Sequence, residues 1–376
     1  MIYLDYSATT PVNKEVLESF SKTSLNYIGN PNSLHNLGIK SNELIDASVK
    51  QVAKLLNVSL NEVIFTSGAS ESNNTAIKGI CYKYKNRGKH IITTHFEHSS
   101  IYGPLSFLQK EGFEVDFVDS DEFGIVSIDN LKKIIREDTI LISIASVNSE
   151  IGIRQPIEEI GKFLKENNSK VFFHVDMTQS IGKDNISLEY VDLASFSAHK
   201  FYGIKGIGCL IKKEKVQLEP LIHGGKSTTS YRSGTPALAL IVSLAKALRM
   251  ALEKLDDNYE YVKVMNEFLK ERLSNYDNVF INSNDKCIPH ILNISVVGCK
   301  PETLQHSLEE YGIYISTQTA CSSGSSISKA VYALTNDEDR ASSSVRISLS
   351  YLTTREECEA FLDGFDKCYK RLTNLR

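Results

Sequence analysis

Apolar residues along this chain fall into two periods, and the two alternate. Runs of strand length stand at Glu62–Thr66, His90–Thr94, Glu114–Val118, Ile140–Val147, Val171–Phe173 and Val191–Ala194, the lengths expected of strands buried in a sheet. Between them lie stretches with apolar positions near helical spacing: Val12 to Phe20, a long run from Leu37 through Leu44, Ile45, Val49 and Val52 to Leu56, and a span over 156–167. Strands alternating with helices to about residue 200 predict an α/β fold, with a mostly parallel sheet covered by helices on both faces. Gly206–Ile211 reads as the last strand, antiparallel or at an edge, and a long helical region follows past residue 270. The last hundred residues change character, with strands at 288–297, 313–316 and 343–350 and a helix over 301–311, which predicts a smaller α+β module. The expected division is a large domain over 13–255 and a small one over 256–376 that also takes in residues 1–12.

The polar residues cluster where these strands end, the place open α/β sheets put their ligands. Asp176 closes one strand, and Lys200 follows another 24 residues later in S-F-S-A-H-K. A lysine amine that captures a cofactor aldehyde, with a carboxylate paired to a pyridinium nitrogen, is the arrangement pyridoxal phosphate chemistry uses. An Asp and a Lys that merely cap two strands is the plainer reading of the pair alone, but Ser197 and His199 beside the lysine are suited to hold a phosphate. T-S-G-A-S at 66–70 is a strand, a small-residue turn and a helix start, where backbone N–H groups and the Ser70 hydroxyl can cradle an anion. His98, at another strand end, suits stacking on a cofactor ring or moving protons, although by itself a satisfied structural histidine is the plainer reading. Arg346, a single arginine in a strand, suits a substrate carboxylate or else an exposed sheet face. Cys321 sits on a Ser/Gly-rich stretch and is a nucleophile that transamination does not require.

Composition removes some alternatives. The 376 residues are 41% hydrophobic and 23% charged with a net charge of −4, so nothing global points to nucleic acid or an anionic membrane surface. No apolar run approaches the roughly 20 residues of a membrane helix, and the start lacks a basic region followed by an apolar stretch, which predicts a cytoplasmic protein. Seven scattered cysteines without a C-x-x-C pair argue against a disulfide framework and a thiolate metal cluster; no metal is expected.

In this order the motifs L-D-Y-S-A-T-T-P, G-N-P-N-S-L-H, T-S-G-A-S-E-S-N-N, E-H-S-S, H-V-D-M-T-Q-S, S-F-S-A-H-K, R-S-G-T, A-C-S-S-G and S-S-V-R-I-S-L make the sequence resemble, nearly end to end, the cysteine desulfurases of the NifS/IscS type, within the class-V aminotransferases of fold-type I. The resemblance implies a seven-stranded sheet in the large domain, pyridoxal 5'-phosphate as cofactor, a homodimer, and conversion of L-cysteine to L-alanine. The sulfur would pass as a persulfide on Cys321 to an acceptor protein, an iron–sulfur scaffold or a tRNA-thiolation enzyme. Carried over by position, Lys200 tethers the cofactor, Asp176 pairs with its ring nitrogen, His98 stacks on the ring and Gln179 contacts its phenolic oxygen. Ala69, Ser70, Ser197 and His199 hold the phosphate, with Thr235 reaching it from the neighbouring subunit; Arg346 and Asn32 bind the substrate. The chain departs from the family at Ser149, where a cofactor-contacting Asn is expected and Asn148 is the candidate replacement, and at Gln318, where a glycine usually stands. Rivals within the fold are an aminotransferase or lyase in which Cys321 is a bystander; outside it, a cofactor-binding protein whose catalysis has decayed.

Overall fold

The computed structural model describes residues 1–167, 169–185, 187–225, 227–317 and 327–373. Cys321 and Gln318 lie outside the described residues. The strands are β1 (Ile2–Tyr3), β2 (Val63–Thr66), β3 (His90–Thr93), β4 (Glu114–Phe117), β5 (Thr139–Ala145), β6 (Phe172–Asp176), β7 (Leu193–Ser197), β8 (Gly208–Lys212), β9 (Val279–Ile281), β10 (Ile291–Val296), β11 (Ile313–Tyr314) and β12 (Ser344–Ser348). Seven of them form one sheet in the order β2-β8-β7-β6-β5-β3-β4. Neighbours from β7 to β4 pair parallel, while β8 runs antiparallel to both β7 and β2.

The predicted strand at 206–211 is therefore antiparallel and lies inside the sheet, one strand from its edge. Its Gly208 lets it fit: a Cβ there would stand 2.6 Å from Gly68 Cα. β5, β6 and β7 are buried along almost their whole length, which is why their sequences read as apolar runs rather than alternating ones.

Helices Asn36–Leu56, Ala69–Tyr84, Ser99–Lys110, Ile157–Glu166 and Leu238–Glu253 cover the sheet. The long helical region after 236 divides in two, Leu238–Glu253 and Leu255–Leu273, at Lys254. Helices Lys14–Asn26, Ile128–Ile134, Pro301–Glu309, Lys329–Thr335, Glu338–Ser342 and Arg355–Thr373 complete the α-helices of the described residues.

The largest core packs the helices from residue 16 to residue 251 against the sheet. A second core gathers Leu4 with residues 262–368 around the three-stranded sheet β12-β10-β9. The N-terminal segment joins this second unit: Ile2–Tyr3 pairs parallel with Ile313–Tyr314, and Ser348 N donates to Leu4 O at 2.7 Å.

Histidines sit deep in the sheet. His174 lies between Ser143 Oγ on β5 and Ser195 Oγ on β7, at 2.9 Å from each, and is fully buried. Burial pushes its pKa down to about 4, and does the same to His199 (about 4) and His290 (about 3). Each is neutral in the folded chain and takes a proton in the unfolded chain below about 6.5. The stability they contribute is complete above that pH and is lost as pH falls toward their folded values. Burial raises the buried Glu97 to about 8 and also raises Glu150 and Asp184, but it lowers His90 and His98 along with the other three imidazoles, so five histidines stand against three carboxyls. The urea midpoint is therefore expected to be lower at pH 5 than at pH 7. An equal or higher midpoint at pH 5 would contradict the buried neutral histidines.

Candidate active site

The carboxyl ends of β2, β3, β5, β6 and β7 open onto one cavity of about 500 Å³. Lys200 reaches it from a tight turn after β7: Gly203 N donates to Ala198 O at 2.9 Å, and Tyr202 takes a positive φ of 64°. That conformation is costly for a tyrosine, and the Tyr202 N–H is held by Thr10 Oγ1 at 2.8 Å. The amine of Lys200 donates to Ser7 O at 2.5 Å and Ala8 O at 3.0 Å. The N-terminal segment thus forms one wall of the cavity.

Asp176, 5% exposed, ends β6 with each carboxylate oxygen meeting a donor. Oδ1 accepts from Thr178 N at 2.9 Å and Oδ2 from Asn73 Nδ2 at 2.8 Å. Asn73 Nδ2 also donates to Ser100 Oγ at 2.9 Å, and Ser100 Oγ lies 2.8 Å from His98 Nδ1. The backbone N–H of Ser100 donates to the same Nδ1 at 3.2 Å. A backbone N–H can only donate, so Nδ1 is an acceptor and the neutral ring carries its proton on Nε2. Burial holds the pKa of His98 below the ordinary histidine value, with Lys200 and Arg346 adding to it against Asp176. Asn73 and Ser100 thereby tie the acid of one strand end to the imidazole of another, a link of 103 residues between Asn73 and Asp176 that no local pattern reveals.

Arg346, on β12, is 2% exposed rather than displayed on a sheet face. Its Nη2 pairs with Asp5 Oδ1 at 2.8 Å and its Nη1 donates to Ser149 O at 2.9 Å. Nε is buried without a partner. Gln179 lines the cavity with its Nε2 donating to Ser7 O at 3.0 Å.

At the opposite end, Gly68 is the N-cap of the helix Ala69–Tyr84 and provides no side-chain cap. The first N–H groups of that helix face the cavity beside Ser70, Ser197 and His199. An open helix N-terminus with hydroxyls around it is an anion site. Ser7 Oγ and Thr178 Oγ1, both on the cavity wall, are buried without a hydrogen-bond partner.

Three of the residues carried over from sequence lie elsewhere. Asn32 is exposed and donates to Ser227 Oγ at 3.3 Å. Thr235 lines a separate cleft with Tyr27, Ile28 and Pro31. Asn148 is turned away from the cavity: its Nδ2 donates to Phe96 O at 2.8 Å and its Oδ1 accepts from Glu150 N and Ile151 N. An amide used up in capping its own turn cannot replace a missing side chain, so Ser149, which does line the cavity, stands there alone. In the loop 223–236, Arg232 pairs with Glu71 Oε1 at 2.9 Å.

A family model described as aminotransferase class-V matches residues 2–361. The chain belongs to the class-V aminotransferases. Among members of this family, the cysteine desulfurase IscS of Dictyoglomus turgidum is 37% identical over 379 residues, spanning all of this chain and 96% of that protein. A solved NifS-like protein superposes with a TM-score of 0.92 at 36% identity, covering 99% of each chain. SspA, solved in complex with cysteine, superposes with a TM-score of 0.82 at 33% identity over 94% of this chain and all of that one.

The cofactor of these class-V aminotransferases is pyridoxal 5'-phosphate, and the cavity fits it on its own geometry. It has an amine, a buried carboxylate with lone pairs to spare, an uncapped helix N-terminus for the phosphate, and unsatisfied hydroxyls on its wall.

Proposed function

We propose that this class-V aminotransferase is a cysteine desulfurase, taking sulfur from L-cysteine to leave L-alanine and a persulfide on Cys321. The observation that carries this is the buried guanidinium of Arg346 opening on the same cavity as Lys200 and Asp176. It gives an amino acid carboxylate a charged partner beside the amine that handles its Cα. The cysteine-bound SspA supports the substrate class, and the relative named cysteine desulfurase IscS supports the reaction.

In this reading Lys200 tethers the cofactor, Asp176 pairs with its ring nitrogen, His98 lies against its ring and Gln179 donates to its phenolic oxygen. The N–H groups of Ala69 and Ser70, with Ser70, Ser197 and His199, hold its phosphate. Bound there, pyridoxal phosphate supplies an electron sink that makes the substrate Cα–H acidic. Arg346 holds the carboxylate in bidentate fashion, exchanging part of its contact with Asp5 for the substrate. The amine of Lys200 would carry the Cα proton. The neutral imidazole of His98 offers its Nε2–H toward the cavity.

Cys321 attacks the substrate sulfur as a thiolate, forming the S–S bond as the Cβ–S bond breaks. L-cysteine plus one thiol thus gives L-alanine plus one persulfide, and the electron pair of the broken bond ends in a new C–H bond at Cβ. No external oxidant is needed. A thiol of ordinary pKa near 8.5 requires a proton acceptor to become that nucleophile.

The same proposal covers a homodimer and a sulfur-acceptor protein, an iron–sulfur scaffold or a tRNA-thiolation enzyme, met in the cytoplasm. Support for the dimer lies in Thr235, which a second chain would bring to the phosphate. Leu17, Leu25, Ile28, Leu34 and Leu37 are exposed on one short stretch of the same chain, more apolar surface in sequence than a lone subunit explains. No helix among the described residues is long and apolar enough to cross a membrane.

The purified protein is expected to be yellow and, with L-cysteine and a thiol reductant, to release sulfide and alanine in equal amounts. Cys321→Ala should keep the colour and the spectral response to cysteine but lose sulfide release by at least about 100-fold. A colourless protein would remove the cofactor from the account. Undiminished sulfide from Cys321→Ala would make the protein a lyase instead.

A further inference from the structure

Lys183 is a lysine out of place. It is 7% exposed, and among the described residues no carboxylate lies within 4.0 Å of its amine; its Nζ donates to Gln179 Oε1 at 3.0 Å. The backbone puts it there. Ile181 N and Asp184 N donate to Met177 O and Ser180 O, so residues 177–184 coil in single helical turns with Gln179 and Lys183 four apart. Gly182, at φ 71°, bends the turn against the helix Leu238–Glu253, where a Cβ would come within 2.8 Å of Ala251 Cβ.

A lysine in such a place is costly unless it does something. Burial pushes its pKa down to about 7, helped by Lys200 and Arg346. His290 and His199 also lie near enough to feel its charge.

The Gln179 amide has two ends, and both are spoken for. Ser7 O can only accept and takes one N–H at 3.0 Å; Lys183 Nζ donates to the oxygen. One N–H of Gln179 remains, on a side chain that lines the cavity. A flipped amide would set its oxygen against the Ser7 carbonyl and its NH₂ against the lysine donor. We propose that Lys183 is a positioning residue, which fixes the Gln179 amide so that it can only donate toward the phenolic oxygen of the cofactor.

This rests on the reading of Gln179 given above. A donor aimed at that oxygen would lower the pH at which the bound cofactor gives up its proton. Without Lys183, Gln179 Oε1 is left buried and unsatisfied, and the Ser7 carbonyl alone is left to hold the amide.

The test is the pH titration of the visible absorption of the cofactor-loaded protein. Lys183→Met is expected to raise the midpoint by at least 0.5 pH unit, about threefold in proton affinity, and to add nothing further in a Gln179→Leu background. Lys183→Leu serves as a second apolar variant where methionine at this site fails to fold. Lys183→Gln, which keeps an N–H for Oε1, is expected to restore the wild-type midpoint. An unchanged midpoint in the apolar variants overturns the proposal, as does additivity with Gln179→Leu or a raised midpoint in Lys183→Gln. Wild-type protein without the yellow colour would instead sink the assignment of the site itself, and so separates the two failures.

Discussion

Replacing Lys200 with alanine is expected to lower the rate of sulfide and alanine formation by about 10⁴-fold, the upper range for a positioned proton-transfer group. The effect is this large because one amine does two things in the proposed reaction, anchoring the cofactor and carrying the Cα proton. Its position is set on both sides. The turn at Tyr202 and Gly203 aims it, and the carbonyls of Ser7 and Ala8 receive its protons at 2.5 and 3.0 Å. The absorption of Lys200→Ala should also change to that of a noncovalently held aldehyde. Activity above about 1% of wild type would mean that another amine carries the reaction, with Lys205, which also lines the cavity, the candidate.

Asp176→Asn is expected to reduce kcat by about 10²–10³-fold, the scale of one preorganised electrostatic partner, while KM for cysteine changes little because Arg346 is untouched. The geometry makes this substitution less conservative than its size suggests. Both carboxylate oxygens face donors, Thr178 N and Asn73 Nδ2. An asparagine must therefore turn its own NH₂ against one of them in either orientation, a clash of about 1–3 kcal/mol. A lower thermal midpoint should accompany the lost rate. Unchanged kcat with a raised KM would place Asp176 on the substrate instead of the ring nitrogen.

Much of this site stood in the sequence because each strand delivers its own residue locally. Asp176 ends β6, Lys200 follows β7, and the T-S-G-A-S turn follows β2, so reading strand ends located them without knowing how the strands pair. What joins them was not legible. Asp5 meets Arg346 across 341 residues, and the ion pair turns a strand arginine with an open environment into a buried one. Asn73 and Ser100 connect Asp176 to His98 by side chains that look like ordinary helix residues in the sequence.

The fold divides in the same way. The helix Asn36–Leu56 and the buried strands follow from periodicity, whereas the place of β8 inside the sheet does not, because sheet order is set by contacts between distant segments. The helix Arg355–Thr373 carries Cys358, Phe361, Leu362, Phe365 and Cys368 on its buried face, a spacing of three and four that marks a helix; its polar remainder hides it. Among the described residues, the α-helices Ile128–Ile134, Lys329–Thr335 and Glu338–Ser342 are too short for a period to declare itself.

Residues 2–5 leave the ribosome long before the residues they pair with. Ile2 and Tyr3 wait for Ile313 and Tyr314, and Asp5 for Arg346. At roughly 5–20 residues per second, translation separates Asp5 from its arginine by roughly twenty seconds to a minute. A nascent chain lacks one side of the vitamin pocket until the strand Ser344–Ser348 emerges, so loading with the vitamin waits for that strand.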